Sequence, residues 1–126
     1  MKLLIVDDSN IIRRAIENYL KDFDLEICGS VDNGEEALKK YRKHKPDLVT
    51  LDITMPRMDG LSALKEIISL DPEACVLVIS ALKDRETGIK ALKIGAAGFL
   101  PKPFTPTQLK EEIQNLLEES KGLSIG

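Results

Sequence analysis

Short apolar runs alternate with longer amphipathic segments along the whole chain. Apolar runs of this length are typical of buried β-strands, and they occur at 3–6, 25–31, 48–51, 75–79 and 97–100. Between them, apolar residues recur at intervals of three and four, as on one face of an α-helix. This spacing is clearest in segments 12–20, 61–68 and 109–117. The alternation predicts an α/β fold: a five-stranded parallel sheet with five helices distributed over both of its faces.

Capping residues and prolines mark the expected helix boundaries. Residues 105–108, Thr-Pro-Thr-Gln, have the order of an N-cap, a proline in the first turn and a capping-box partner. Asn33 is placed to cap another helix. Turn signals predict that helices end before Lys45-Pro46, Asp71-Pro72 and Gly95.

The apolar runs also predict the order of the strands. The first, third and fourth runs are continuously apolar, as in strands buried on both faces. The second run alternates, with Leu25, Ile27 and Val31 against polar or small neighbours, and the fifth is short and contains Gly98. Both therefore suit sheet edges. With right-handed crossovers, the favoured order is 2-1-3-4-5, the flavodoxin-like arrangement, which has a switch point between strands one and three.

Composition narrows the classes of function. Eighteen Lys and Arg against 21 Asp and Glu give a net charge of −3, and Trp is absent, so nucleic-acid binding is not expected. No apolar stretch approaches membrane-spanning length, and the N-terminal run is too short for a signal peptide. Cys28 and Cys75 lie in apolar segments and are interpreted as buried small hydrophobes. We expect a cytoplasmic protein with one domain at 1–120 and a short tail at 121–126.

Polar residues follow four of the predicted strands. Asp7 and Asp8 follow the first, Asp52 the third, Ser80 the fourth and Lys102 the fifth. Each has a simple explanation by itself, such as a helix cap, a turn acid or a solvated lysine. However, ligands of open α/β sheets bind at the carboxyl ends of the strands beside the switch point. The strands that flank this point carry all three carboxylates.

Three adjacent carboxylates would repel one another. Two like charges about 4 Å apart cost about 4 kcal/mol at an effective dielectric constant near 20. A hard divalent cation removes this cost, and a site made only of oxygen ligands suits Mg²⁺, with Mn²⁺ as an alternative. Asp52 could then act as a nucleophile and form an acyl phosphate. Lys102 and the Ser80 hydroxyl would hold the phosphoryl oxygens.

These residues resemble the receiver domain of two-component response regulators. The resemblance is carried by Asp7-Asp8, by Asp52 within LDITMPRMDG, by Ser80-Ala81 and by the segment Lys102-Pro103-Phe104. It spans essentially the whole chain and is strongest to single-domain members that act in chemotaxis. It implies that Asp52 is the phosphorylation site. It also implies that Asp8, Asp52 and the backbone carbonyl of Thr54 bind Mg²⁺, with Asp7 acting through water.

The resemblance implies further contacts around the phosphoryl group. Lys102, Ser80 and the backbone amides of Thr54 and Ala81 would contact it, and the Lys102–Pro103 peptide bond is expected to be cis.

Three positions differ from the family's most typical pattern. Ser80 replaces Thr, Phe99 occupies a switch position that is often Tyr, and Leu82 stands where polar residues are common. An apolar side chain at position 82 cannot orient an attacking water molecule.

The resemblance also implies partners. A histidine kinase would donate the phosphoryl group, and phosphorylation would change protein contacts on the face made by the fourth helix, fifth strand and fifth helix. The output would be a downstream protein such as the flagellar motor switch, or a phosphorelay partner unrelated to motility, and a phosphatase could act on the phosphorylated form. Catalysis would be limited to the domain's own phosphorylation and dephosphorylation. No nucleic acid and no membrane is expected to bind.

Three other classes of protein fit the sequence less well. A flavodoxin-like cofactor enzyme would need a phosphate-binding loop after the first strand, where this chain has Asp-Asp-Ser-Asn. A phosphohydrolase of the haloacid dehalogenase type would need a second acid two residues after the nucleophile, where this chain has Thr54. A receiver-like interaction domain that works without phosphate would not need the full set of site residues.

Overall fold

The computed structural model describes residues 1–53, 60–81 and 85–120 of the 126-residue chain. Its strands are β1 Lys2–Val6, β2 Glu26–Val31, β3 Leu48–Asp52, β4 Val76–Ala81 and β5 Gly98–Lys102. Its helices are α1 Asn10–Tyr19, α2 Gly34–His44, α3 Gly60–Leu70, α4 Arg85–Ile94 and α5 Pro106–Ser120. Thr54, Leu82 and the expected tail at 121–126 lie outside the described residues.

The sheet has the predicted order. All four neighbouring pairs of strands are parallel, and the strands lie in the order β2-β1-β3-β4-β5. The carboxyl ends of β1 and β3 are therefore adjacent, at the point where the chain changes the direction in which it adds strands.

Two apolar cores cover the two faces of the sheet. The first core joins alternate strand residues to α2, α3 and α4, through Ala37, Tyr41, Leu64, Ile67 and Ala91 among others. The second core joins the intervening strand residues to α1 and α5, through Ile16, Leu109, Ile113 and Leu116 among others. Every residue of β3 is buried. The third strand thus holds its carboxyl end in a fixed position between the two helix layers.

The predicted helix caps are confirmed. In the capping box before α5, the Thr105 N–H donates to Gln108 Oε1 at 2.9 Å and the Gln108 N–H donates to Thr105 Oγ1 at 3.1 Å. Asn33 Oδ1 accepts from the Glu36 N–H at 2.9 Å at the start of α2. The α2 helix ends at His44, and the C-cap residue Lys45 has a left-handed φ of 46°. These capping bonds also fix where α2 and α5 begin relative to the strand before each of them.

The second strand differs from its predicted pattern. It lies at the edge as expected, but its register with β1 jumps from Leu3↔Ile27 to Leu4↔Gly29. Cys28 is the extra residue of this bulge and packs against the first core with Val31, whereas Leu25 packs against the second core. The alternation of Leu25, Ile27 and Val31 in the sequence therefore does not place these residues on one face, because a bulge reverses the alternation.

The two cysteines are free and only partly buried, so the expectation that they are buried holds in part. Burial raises the pKa of both thiols, as expected for groups that a partly apolar environment keeps protonated. Among the described residues, no helix combines the length and the apolar character that crossing a membrane requires.

Candidate functional site

Asp7 is fixed in place directly after β1. Its backbone N–H donates to the Val31 carbonyl at 3.0 Å, which extends the pairing of β1 with β2. Its Oδ1 atom accepts from the Ser9 N–H at 2.8 Å, and Ser9 Oγ in turn caps α1 by accepting from the Ile12 N–H. The Asp7 residue is only 1% exposed. Because Ser9 supplies the helix cap, capping does not account for the neighbouring Asp8.

Asp8 and Asp52 complete an acidic cluster with Asp7. One carboxylate oxygen from each of the three residues can be chosen so that all lie within 4.8 Å of one another. Asp52 is the last residue of β3 and is buried, whereas the Asp8 side chain faces solvent. An oxygen-only cluster that is open on one side suits a hard cation that keeps some of its water. The predicted grouping of the three acids is therefore present in the fold.

Lys102 at the end of β5 bonds to both buried acids. Its Nζ atom lies 2.8 Å from Oδ2 of Asp52 and 3.1 Å from Oδ2 of Asp7. The lysine side chain is 24% exposed, so the ammonium group lies at the boundary between the cluster and solvent. One cation thus partly neutralises the carboxylates at the switch point.

The electrostatics of the site show competing effects. Burial raises the pKa of Asp7 above its ordinary value of 3.8, the nearby Asp52 charge adds to this, and the Ser9 N–H and Lys102 oppose it. Burial alone would lower the pKa of Lys102, but its hydrogen bonds and charge interactions with Asp52 and Asp7 outweigh burial and leave this pKa raised above 10.5. An additional cation at the cluster would oppose the rise in the pKa of Asp7, while Lys102 stays protonated.

Ser80 brings a hydroxyl group to the same edge of the sheet. Sheet register pairs Ser80 with Pro101 and Ala81 with Lys102. Ser80 is fully buried, and its Oγ atom has no hydrogen-bond partner among the described residues. A buried hydroxyl without a partner is unfavourable by about 1–3 kcal/mol. An oxygen-rich group on Asp52 would satisfy it, so this orphaned atom fits a phosphoryl site.

An open cavity of about 300 Å³ lies beside Lys102. Its walls come from α1, from the ends of β4 and β5 and from the segment that follows β5, and they are formed by Ile12, Ala15, Tyr19, Ala81, Lys102, Pro103 and Phe104. The peptide bond between Lys102 and Pro103 is cis. The cavity therefore adjoins the acidic cluster through the Lys102 side chain.

Phe99 lies apart from the acidic cluster, on the face of the sheet that carries the first core. Its ring is partly buried and packs against that core. The ring also contacts Gly88 in α4, at the place where a side chain of any other residue would begin. The sequence singled out Phe99 but not Gly88, because the contact depends on how α4 crosses β5 and not on a local pattern.

Two other polar residues near the site were not found from the sequence. Arg13 Nη1 donates to the backbone carbonyl of Asp7, which ties α1 to the acidic loop. Thr50 is fully buried in β3, and its Oγ1 atom has no partner in the described part of the chain. Arg13 follows Asp7 by six residues, with no recognisable motif between them, and Thr50 reads as an ordinary β-branched strand residue.

Comparison with known proteins agrees with this geometry. Residues 3–114 match the response regulator receiver domain family. The chemotaxis protein CheY of Listeria monocytogenes is 47% identical over 114 residues, covering 90% of this chain and 96% of that protein. CheY of Thermotoga maritima is 41% identical over 115 residues, covering 91% and 96%.

A solved structure shows the same fold. The CheX–CheY–BeF3–Mg²⁺ complex from Borrelia burgdorferi contains a chain that is 34% identical, with a TM-score of 0.87 and coverage of 93% of this chain and 89% of that one. The family match over residues 3–114 includes the acids Asp7, Asp8 and Asp52. The chain therefore belongs to the response regulator receiver domain family and is closely related to the CheY chemotaxis proteins.

Proposed function

We propose that the protein is a chemotaxis response regulator in which Asp52 accepts a phosphoryl group beside a bound Mg²⁺ ion. Asp7, Asp8 and Asp52 would hold the ion, with Mn²⁺ as a possible substitute. The main observation in support is that these acids converge within 4.8 Å at the switch point of the sheet. The CheX–CheY–BeF3–Mg²⁺ complex of Borrelia burgdorferi, which contains a chain of the same fold, includes both a phosphoryl mimic and this metal.

The proposed reaction is a phosphoryl transfer from a phosphohistidine of a kinase. A carboxylate oxygen of Asp52 attacks phosphorus, the P–N bond breaks, and its electron pair stays on the imidazole nitrogen, which takes up a proton from solvent. A bound Mg²⁺ ion would supply charge neutralisation for the carboxylates and the phosphoryl oxygens. Catalysis by the domain would be limited to its own phosphorylation and dephosphorylation.

Residues around Asp52 would bind the new phosphoryl group. Lys102 already lies 2.8 Å from the Asp52 carboxylate and would turn from it to a phosphoryl oxygen. The Ser80 hydroxyl would donate a second hydrogen bond. We assign similar contacts to the backbone amides of Ala81 and Thr54, and metal coordination to the Thr54 carbonyl, as in the family pattern. The domain would comprise residues 1–120 and act in the cytoplasm.

Output would pass through the face formed by α4, β5 and α5. Phosphorylation adds roughly −1.5 to −2 charges and three acceptor oxygens at the end of β3. Movement of Ser80 toward these oxygens would open space for Phe99. The α4 side chains of Ile89 and Leu92 are 54% and 45% exposed and offer an apolar contact for a partner. The partner would be a flagellar motor switch protein, since the two CheY relatives described above are chemotaxis proteins.

A phosphorelay partner is the second candidate for the output, because the site itself does not depend on motility. A phosphatase would need to reach Asp52 through the solvent-facing side of the cluster at Asp8. Capture experiments with and without beryllofluoride would separate these partners, since a motor-switch protein should bind only the beryllofluoride form.

The phosphoacceptor role can be tested without the kinase. Incubation with acetyl phosphate and Mg²⁺ should add one phosphoryl group to the intact protein by mass spectrometry. Chelation of the metal or the Asp52→Asn substitution should abolish the gain, and the matched substitution Asp24→Asn, at an exposed acid remote from the cluster, should not. Equal labelling of the Asp52→Asn variant would refute the proposal.

A further inference from the structure

The ring of Phe99 rests directly on the backbone of Gly88 in α4. A Cβ atom added at Gly88 would lie 2.5 Å from Cε2, 2.8 Å from Cδ2 and 2.9 Å from Cζ of Phe99. Carbon atoms in favourable contact are about 3.5–4.0 Å apart. Any residue other than glycine at position 88 would therefore force the Phe99 ring out of this position, or force α4 away from the sheet.

Glycine is an unfavourable choice at this place in a helix. Gly88 is the fourth residue of α4 and is buried, so it is neither a cap nor part of a turn. Inside a helix, glycine is among the least stabilising residues, and alanine is the most stabilising. Local rules of this kind are broken mainly where function requires it. Room for the Phe99 ring is the physical reason that the structure offers for glycine here.

The ring position is connected to the acidic site through β4. Phe99 pairs with Val78, and Ser80 is two residues further along the same strand. Residues two apart in a strand share a face, so the Ser80 hydroxyl and the Phe99 ring lie on the same side of the sheet. In this arrangement Lys102 bonds directly to the Asp52 carboxylate. The Asp52 carboxylate is unmodified in this structure, so the contact of the Phe99 ring with Gly88 belongs to the unphosphorylated arrangement.

We propose that Gly88 is a positioning residue: it lets the Phe99 ring rest against α4 and so stabilises the arrangement in which Asp52 is not phosphorylated. A side chain at position 88 would remove that resting place and favour the alternative, in which the ring moves toward Ser80. Beryllofluoride can respond to such a change only if it binds the two arrangements with different affinities. The coupling to phosphate rests on the proposed function, whereas the position of the ring does not.

The ring position can be measured with fluorine-labelled phenylalanine. The chain has three phenylalanines, Phe23, Phe99 and Phe104, so a labelled sample gives a simple ¹⁹F spectrum, and Phe99→Leu assigns one resonance. Gly88→Ala should shift the Phe99 resonance and leave the other two in place. Lys90→Ala, at an exposed position of the same helix, is the matched control and should shift none of them. An unmoved Phe99 resonance in Gly88→Ala would overturn the proposal.

Binding of beryllofluoride with Mg²⁺ tests the coupling. Gly88→Ala should bind the phosphoryl mimic at least about fivefold more tightly than wild type, the lower end of usual coupling between sites. The gain should vanish in the Phe99→Leu background, where no ring competes for the space. A moved resonance with unchanged or weaker binding would overturn the coupling. If wild type binds no beryllofluoride, the proposed function and the coupling fail together, and the ¹⁹F result still decides whether Gly88 sets the ring position.

Folding of the variants is checked by circular dichroism. Alanine favours the helix, so the only expected cost of Gly88→Ala is the clash with the ring. If Gly88→Ala alone does not fold and the double variant with Phe99→Leu does, the clash is established by that rescue. If neither variant folds, position 88 is required by the packing of α4 itself, and the proposal is wrong.

Discussion

The ammonium group of Lys102 lies 2.8 Å from the carboxylate of Asp52, at the end of a strand that is buried along its whole length. The same ammonium group is 3.1 Å from Asp7, so one cation serves both buried acids while Asp8 stands beside them. Three carboxylates meet at this point, so their negative charge exceeds the positive charge of the Lys102 ammonium group, and a bound metal ion would offset the difference. Much of the behaviour expected of the protein follows from this imbalance.

Magnesium should stabilise the folded protein through Asp8. A ligand that binds only the folded state adds about 2.7 kcal/mol to the free energy of unfolding at a hundredfold excess over its Kd. We expect a rise of this size for wild type in urea unfolding with increasing Mg²⁺, and loss of most of the rise in Asp8→Asn. Asp24→Asn removes an equal charge from an exposed site and should keep the rise. The same magnesium effect in Asp8→Asn and wild type would show that the cluster is not the binding site.

The Ser80 hydroxyl should matter for the phosphoryl group and not for folding. Its Oγ atom is buried without a partner among the described residues, so Ser80→Ala should leave the free energy of unfolding unchanged or slightly higher. A hydrogen bond to a charged group contributes about 1.5–3 kcal/mol, so beryllofluoride should bind at least about tenfold more weakly. Isothermal titration in the presence of Mg²⁺ measures this. Ser80→Thr keeps the hydroxyl and should retain binding; equal affinities of Ser80→Ala and wild type would contradict the assignment.

Thr50 should be replaceable by valine at no cost in stability. It is fully buried in β3, and its Oγ1 atom has no partner in the part of the chain that the structure describes. Thr50→Val keeps the shape and removes the desolvated hydroxyl, so the free energy of unfolding should stay the same or rise by about 1 kcal/mol. Thr50→Ala, which also removes a methyl group, should lower it. A clear loss of stability in Thr50→Val would mean that the hydroxyl makes a hydrogen bond after all.

Tyr41 should make stability fall at high pH. Its hydroxyl donates to Asp71 Oδ2 at 3.0 Å, and burial, followed by this hydrogen bond and the Asp71 charge, raises the pKa of Tyr41 above its ordinary value of 10.0. Above pH 10.0 the unfolded chain loses this proton while the folded protein keeps it, so folding becomes less favourable as pH rises. The advantage of wild type over Tyr41→Phe should shrink there by up to about 1.4 kcal/mol per pH unit.

Unfolding in urea between about pH 9 and pH 11 measures this difference. Tyr19→Phe, at the other tyrosine of the chain, is the control for the loss of a phenol hydroxyl group. A constant difference between wild type and Tyr41→Phe over this range would contradict the assigned pKa shift.

Features that depend on local sequence could be predicted, and those that depend on how elements cross could not. The capping box at Thr105 and Gln108 and the grouping of acids after β1 and β3 follow from short patterns and from the geometry of parallel sheets. The bulge at Cys28 could not be predicted, because the sequence of an edge strand does not show which of its residues is left unpaired. The contact of Phe99 with Gly88 needs the exact approach of α4 to β5.

The phosphoryl acceptor can be located by chemical trapping. Borohydride reduces an aspartyl phosphate to homoserine, so protein treated with acetyl phosphate and Mg²⁺, then reduced and digested, can be sequenced by tandem mass spectrometry. Homoserine at position 52, and its absence when the metal is chelated, is the result we predict. Homoserine at Asp7 or Asp8 instead, or equal conversion at position 52 without the metal, would contradict a metal-assisted phosphoryl acceptor at the end of β3.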